Sequence, residues 1–448
     1  MGKLAKFSKP LIFQSKLLCF SLIYLFSSLS LAVYFTVSAT KCIFRWSPFD
    51  PVQAPLFLYP SSYGEHKHAI PTTRASCNSP VSFSDYHVVF DEIKTTFGNS
   101  TRKSALRYKK QGNYGMFGGN LSFPERISYF DRRENGIEIP CGLFRRFPIG
   151  DSDRISMEKC DGLVVASAIF NDHDKVRQPR GLGSKTLDNA CFFMFVDDVT
   201  LNRLHYHKMI SKTSKELKIG AWRIVNVSAD QLYENPTMNG IVPKYLIHRI
   251  FPNSKYSLWV DAKMQLVIDP FLLIHSLVVK EDADMAISRH PYFLHTMEEA
   301  MATARWKKWW DVNGLKVQME TYCENGLNPW SSNKPYPTDV PDSALILRKH
   351  SVATNIFSCL LFNELEAFNP RDQLPFAFVR DKMSPNLKLN MFEVEVFEQL
   401  ALEYRHNIKM GRAGAGPKTK MAGPDLFANR SCGKCEDYLL HMWGESHD

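Results

Sequence analysis

Tyr256-Ser-Leu-Trp-Val-Asp-Ala-Lys-Met-Gln-Leu-Val-Ile-Asp-Pro270 decides the fold. Its first residues are uncharged and bulky, which suits a strand buried on both faces. Asp261 then stands where the strand stops. In an open α/β sheet the carboxyl ends of the strands border the ligand crevice. A short acid after a strand also caps turns, so Asp261 is either a turn residue or a crevice residue, and its neighbours must decide.

Comparable runs lie on either side of it. Gly162-Leu-Val-Val-Ala-Ser-Ala-Ile-Phe170 stops at Asn171-Asp-His-Asp-Lys175, and Cys191-Phe-Phe-Met-Phe-Val196 stops at Asp197-Asp198. Further apolar runs occupy 221–226, 283–288 and 343–348, the second of these ending at Arg289-His290. Between them, a Lys-rich stretch around 208–218 and Pro243-Lys-Tyr-Leu-Ile-His-Arg-Ile-Phe251 read as helices, as do 298–310 and 352–368. Strands apolar on both faces, alternating with helices, predict an α/β fold with a mostly parallel sheet covered on both sides. Acids collected at one edge of such a sheet make a crevice.

The chain has 448 residues and a formal net charge of +9 that is spread along its length. No basic block marks a nucleic-acid binder. Lys3, Lys6, Lys9 and Lys16 precede an uncharged run, 17–40, long enough to span a bilayer. The positive-inside rule keeps the short tail cytosolic and makes this a single-pass type II anchor with the body in a lumen. The expected organisation is a cytosolic tail (1–16), a transmembrane anchor (17–40), a Pro-rich stem and irregular N-terminal layer (41–157), the α/β domain (158–410) and a C-terminal tail (411–448). Sequons at Asn99, Asn120, Asn226 and Asn429 suit lumenal glycosylation. Nine of the ten cysteines lie beyond the anchor, where an oxidising compartment pairs most of them. Cys432-Gly-Lys-Cys435 reads as a local disulfide or as halves of two separate ones, in preference to a zinc site.

The chemistry-bearing residues are Asp172, Asp174, Lys175, Asp197, Asp261, Lys263, His290, Arg371 and Asp372. Asp372 opens a helix, so it is either a first-turn carboxylate or a substrate contact. Trp306, Trp309 and Trp310 are packing residues or a platform. Two chemistries fit. Transfer of a sugar from a nucleotide needs a cation to neutralise a leaving diphosphate and a carboxylate to activate the acceptor. A strand-end Asp-x-Asp would hold the metal, but here the order is Asp261-Ala-Lys263, and Lys263 could itself neutralise phosphate. Amide hydrolysis needs an activated water, often on zinc, and an acid for the leaving amine. His173, His205, His207 and His290 with Asp172, Asp197 and Asp261 could furnish ligands. A divalent cation (Mn, Ca or Zn), held at Asp261, is allowed by either.

Val164-Val-Ala-Ser-Ala-Ile-Phe-Asn-Asp-His-Asp-Lys175 with Gln178-Pro179, Phe193-Met-Phe-Val-Asp197, Tyr256-Ser-Leu-Trp-Val-Asp-Ala-Lys263 and Asn369-Pro-Arg-Asp-Gln373 resemble a plant-rich family. That family is catalogued as domain of unknown function 616, a glycosyltransferase-like domain, and the resemblance covers roughly 41–412. It implies a glycosyltransferase-A-like fold. The N-terminal Met1-Gly-Lys-Leu-Ala-Lys-Phe-Ser-Lys-Pro10 and Ser47-Pro-Phe-Asp-Pro51 look closer to its ceramidase branch. The resemblance therefore implies a Golgi membrane alkaline ceramidase that hydrolyses the ceramide amide to sphingosine and free fatty acid, with a role in turgor regulation. The other branch implies a nucleotide-sugar-dependent hexosyltransferase of the Golgi lumen. A non-catalytic lumenal scaffold is the third reading. On either enzymatic reading Asp261, Asp372 and His290 are the expected catalytic residues, with Asp172, Asp174, Lys175, Asp197, Lys263 and Arg371 contacting ceramide or nucleotide sugar.

Overall fold

A computed structural model describes residues 15–36, 41–45, 51–64, 77–99, 117–131, 141, 147–211, 216–228, 232–404, 435 and 439. Twelve strands run in chain order among them. They are β1 (Ile43–Arg45), β2 (Val81–Phe83), β3 (Leu163–Ile169), β4 (Ala190–Val196), β5 (Lys218–Ile219), β6 (Trp222–Asn226), β7 (Tyr256–Val260), β8 (Met264–Leu266), β9 (Met285–Arg289), β10 (Pro341–Lys349), β11 (Leu389–Phe392) and β12 (Ala401–Glu403). Eight form the central sheet in the order β11-β9-β10-β7-β3-β4-β6-β5. β3 pairs in parallel with β4 and β7, β4 with β6, and β11 with β9. β10 runs antiparallel between β7 and β9, so its first residues, Pro341 to Ser343, share an edge with the last residues of β7 and β9. The mostly parallel sheet expected from the uncharged runs is thus present, and β7, the stretch that predicts it, is buried along its whole length.

Two apolar layers cover the sheet. One packs Val164, Phe193, Trp259 and Ile346 under the helices Pro236–Tyr245 and Val352–Ala367. The other packs Val165, Phe192, Leu258 and Leu345 under Pro270–Ile274 and the N-terminal layer. That layer is more regular than its prolines suggest. β1 and β2 pair in parallel, and the helix Tyr86–Asn99 inserts Val89, Phe90 and Ile93. The helix expected around 208–218 is displaced. It is Asp198–Tyr206, and Lys218–Ile219 instead form a strand against Trp222–Arg223, because Ile219 is needed in the core.

Disulfides join Cys42 to Cys77, Cys141 to Cys359, Cys160 to Cys191 and Cys323 to Cys435. A local bridge within 432–435 is therefore ruled out by the long-range partner of Cys435. Cys432 lies outside the described residues. Among the described residues, one helix, Lys16–Thr36, is long and apolar enough to cross a membrane.

Candidate active site

Asp261 follows β7, and its own N–H is bonded to Ala344 O of β10 at 2.8 Å. Its Oδ1 accepts from Trp259 Nε1 at 2.6 Å and lies 3.5 Å from Lys244 Nζ. The side chain keeps 31% of its surface exposed, so the carboxylate is gripped from behind and open in front.

Lys244 comes from the helix Pro236–Tyr245 and is buried, at 7% exposure. Its ammonium sits 2.7 Å from Asp372 Oδ2 and 3.2 Å from Ser343 Oγ. Asp372 also accepts from Tyr245 Oη at 2.9 Å and from Ser343 Oγ at 2.7 Å. Burial opposes ionisation of Asp372, but the Lys244 ammonium and these hydrogen bonds outweigh it and hold its pKa below the ordinary carboxylate value. Burial likewise opposes the Lys244 charge, and Asp261 and Asp372 outweigh that, raising its pKa. Asp372 was expected to touch substrate. It does not face the crevice, because the buried ammonium, phenol and serine occupy both of its oxygens, and it acts through Lys244.

Lys263 bonds Glu403 Oε1 at 2.8 Å. Burial lowers its pKa, and Asp342, Glu403 and Asp261 more than offset that, so it stays cationic well above neutrality. Two residues of this group, Asp342 and Glu403, carried no sequence signal, since each lies at a strand end far from Asp261 in the chain.

A third group lies beyond β10. His290 follows β9, stacks on Phe293 with ring centroids 4.8 Å apart, and accepts at Nδ1 from the N–H groups of Tyr292 and Phe293, each at 3.2 Å. That network assigns the proton to Nε2, which is 3.8 Å from Glu299 Oε2. Glu299 is fully buried in the helix Thr296–Arg305, bonded by Arg371 Nη2 and lying 3.3 Å from Lys308 Nζ. Burial lowers the Lys308 pKa, and the Arg371 and Lys263 charges add to that against the pull of Glu299. Glu299 was missed because in sequence it reads as one more acid of an amphipathic helix.

The β3–β4 end is organised differently. Asn171 and Asp172 both take positive φ, +56° and +52°, which Asn and Asp tolerate better than other side-chain-bearing residues. Asp172 Oδ2 is 3.4 Å from Arg203 Nε. Lys175 is buried with its Nζ 4.5 Å from the Tyr63 ring, so an aromatic from the N-terminal layer covers the ammonium. Asp174 is half-buried beside them. Asp197 is a helix cap: its Oδ1 accepts from Thr200 N and its Oδ2 from Asn171 N, both at 2.8 Å. It thereby joins the loop after β3 to the start of the helix Asp198–Tyr206. Of the sequons, Asn120 is exposed, Asn226 gives its Nδ2 to Asp198 at the end of β6, Asn99 ends a helix and Asn429 lies outside the described residues.

The donor set does not fit a divalent cation. Asp261 already faces one ammonium, and the next candidate along the chain is Lys263. Among the described residues no three His, Cys, Asp or Glu side chains are grouped to ligate an ion. His173 bonds Asn171 at 3.2 Å and His205 bonds Ile210 O at 3.3 Å, so the histidines do not converge with Asp261. A hollow of about 300 Å³ between 52–59 and 178–182 holds none of these groups.

A mostly parallel sheet with charged side chains gathered along its carboxyl edge defines an α/β protein with a crevice at the strand ends. The profile of the TOD1/MUCI70 glycosyltransferase-like domain matches residues 100–406, and the chain belongs to that family. It is 58% identical to a protein of Arabidopsis thaliana named alkaline ceramidase TOD1, over 99% of this chain and 100% of that one. It is 37% identical to the probable hexosyltransferase MUCI70 of the same plant, over 62% of this chain and 48% of that one. Mouse xyloside xylosyltransferase 1 is similar in structure over 52% of this chain and 85% of its own, at 9% identity and a TM-score of 0.28, which is too slight to carry weight.

Proposed function

We propose that this protein is an alkaline ceramidase of the Golgi membrane, anchored by its N-terminal helix with the α/β body in the lumen. The observation that carries the reading is 58% identity, end to end, to a protein so named, since whole-chain similarity bears on reaction more closely than fold does. The disulfides favour an oxidising compartment.

The site supplies the parts that amide hydrolysis needs without a metal. Asp261 takes a proton from a water in the crevice, and the water oxygen attacks the ceramide carbonyl carbon. Lys263, held charged by Asp342 and Glu403, steadies the negative charge that develops on the carbonyl oxygen. The C–N bond breaks as the nitrogen takes the proton that Asp261 removed from the water, which returns Asp261 to its carboxylate and releases sphingosine and fatty acid. Lys244 and Asp372 fix Asp261 from behind. Both lysines keep their charge in alkaline solution, since both pKa values are raised.

Hexosyl transfer is the second reading. The neighbouring cations Lys263, Lys308 and Arg371 suit a diphosphate, and the family is described as glycosyltransferase-like. Full-length protein in detergent, given fluorescent ceramide in one assay and a panel of nucleotide sugars in another, separates the two. Fatty-acid release supports the ceramidase. Nucleotide diphosphate release with no ceramide turnover supports the transferase and overturns the first reading.

A further inference from the structure

Beside the crevice the surface is apolar where water would be expected. Tyr292 and Leu294, after β9, are 76% and 45% exposed, and Trp306 and Trp310, after the helix Thr296–Arg305, are 59% and 72% exposed. These residues are tied to the site. Phe293 stacks on His290 and its ring centroid lies 6.3 Å from that of Trp306. Basic residues alternate with them: Lys307 is exposed, and Lys308 Nζ lies 5.0 Å from the Trp306 ring centroid. Exposed Trp and Tyr interleaved with Lys are the chemistry of a membrane–water interface, where the rings enter the headgroup region and the ammonium groups meet lipid phosphates.

The way the body is tethered brings a bilayer to this place. The candidate spanning helix ends at Thr36, and Cys42 is already locked into the body, fully buried, bonded to Gln399 Oε1 at 2.9 Å and bridged to Cys77. The intervening five residues reach about 20 Å at most. Gln399 belongs to the helix Val394–Leu400, which follows β11 at the carboxyl edge of the sheet, and Glu395 of that helix lies 3.5 Å from Arg289, the neighbour of His290. Asn78 N, next to Cys77, bonds Glu393 at 3.0 Å on the same edge. The tether therefore enters the body at the edge that carries the crevice and the aromatic patch.

We infer that Tyr292, Leu294, Trp306 and Trp310 form a collar that docks the crevice mouth onto the bilayer crossed by the N-terminal helix, so that a lipid substrate passes from the leaflet into the site. The substrate half of this statement rests on the ceramidase reading. The docking half does not.

Full-length protein is reconstituted in bilayers containing anionic lipid, with and without bromine on the acyl chains, and its tryptophan emission is compared with that of a Trp306→Ser/Trp310→Ser variant, both in a Trp46→Phe background. Both collar side chains are exposed, so an unchanged thermal transition is expected. Brominated lipid quenches a component of the emission that the variant lacks. Equal fractional quenching in the two proteins overturns the inference and points to a soluble partner for the collar. In a second measurement the variant shows a several-fold higher apparent KM for long-chain ceramide in the bilayer, with unchanged turnover of a water-soluble short-chain ceramide. If neither protein turns over either ceramide, the ceramidase reading fails, while the quenching result still decides docking.

Discussion

Lys244 Nζ stands 2.7 Å from Asp372 Oδ2, with both side chains under a tenth exposed. The same ammonium is 3.5 Å from Asp261 Oδ1, so a buried ion pair is the base on which the crevice carboxylate is set. Removing one partner of such a pair strands a charge, whereas replacing both with apolar groups can be nearly neutral. Lys244→Met is expected to lower stability by about 3–5 kcal/mol, and the double replacement Lys244→Met/Asp372→Leu by less. Denaturant unfolding of the purified full chain checks this. Equal losses in single and double variants would show that the pair does not act as a unit.

The same pair gives a pH dependence with a definite sign. Asp372 has its pKa depressed below the ordinary 3.8, so its contribution is present above that value and lost as pH falls through the folded value. Lys244 has its pKa raised above 10.5, so its contribution is complete below that value and lost only as pH rises beyond it. Stability followed between pH 3 and 11 should show no step from this network at the alkaline pH where the enzyme is proposed to work. An Asp372→Asn variant should have a weaker acid limb below about pH 4.

Ammonium groups stand where a metal-holding carboxylate would be needed, so chelation should leave the reaction intact. Prolonged dialysis against EDTA is expected to change ceramide hydrolysis by less than about twofold, whereas Lys263→Met, which removes a charge from the developing oxyanion, should reduce it by roughly 10²-fold. Restoration of an EDTA-silenced enzyme by manganese or zinc would contradict this.

The helix that carries Glu299 has its own acid sensitivity. His295 Nδ1 accepts from Met297 N at its start, and burial, with Lys334 nearby, pushes its pKa down to about 4. The folded state holds this imidazole neutral. As pH falls below 6.5 the unfolded chain binds a proton that the folded chain does not, and stability is lost until the folded value of about 4 is passed. Hydrogen-exchange protection over 296–305, corrected for the intrinsic rate at each pH, should therefore fall between pH 7 and 5, and His295→Asn, which can still cap, should remove that change.

The sheet was legible because strands covered on both faces must be uncharged, and 163–169, 190–196 and 256–260 are. The carboxyl edge was legible for the same reason, since Asp172, Asp261 and His290 mark where each strand leaves the core. Side chains that converge from afar were not. Lys244 sits in an apolar helical stretch and reads as a covering residue, and only the fold shows that it points at two carboxylates. Glu299, Asp342 and Glu403 each read as ordinary surface acids. Asp197 has a structural role that the sequence also allowed: an Asp just before a helix is a favoured cap, and its side chain accepts from Thr200 N. Asp372 reads in sequence as a helix-opening carboxylate or a substrate contact, and the fold buries it against Lys244 Nζ, because sequence spacing does not report which side of Lys244 faces the crevice. The bridge from Cys323 to Cys435 removes the local pairing and fits the other reading of Cys432-Gly-Lys-Cys435, halves of two separate bridges, which spacing alone could not choose between.

The proposed role of Asp261 is to activate water against a ceramide amide. The direct measurement is hydrolysis of ceramide in ¹⁸O-labelled water by the full-length protein and by Asp261→Asn, which keeps an acceptor for Trp259 Nε1. Expected are equimolar sphingosine and fatty acid, one ¹⁸O in the carboxyl group, and a rate about 10²–10⁴-fold lower in the variant. Undiminished release by Asp261→Asn, or no release by the unaltered protein, would contradict it.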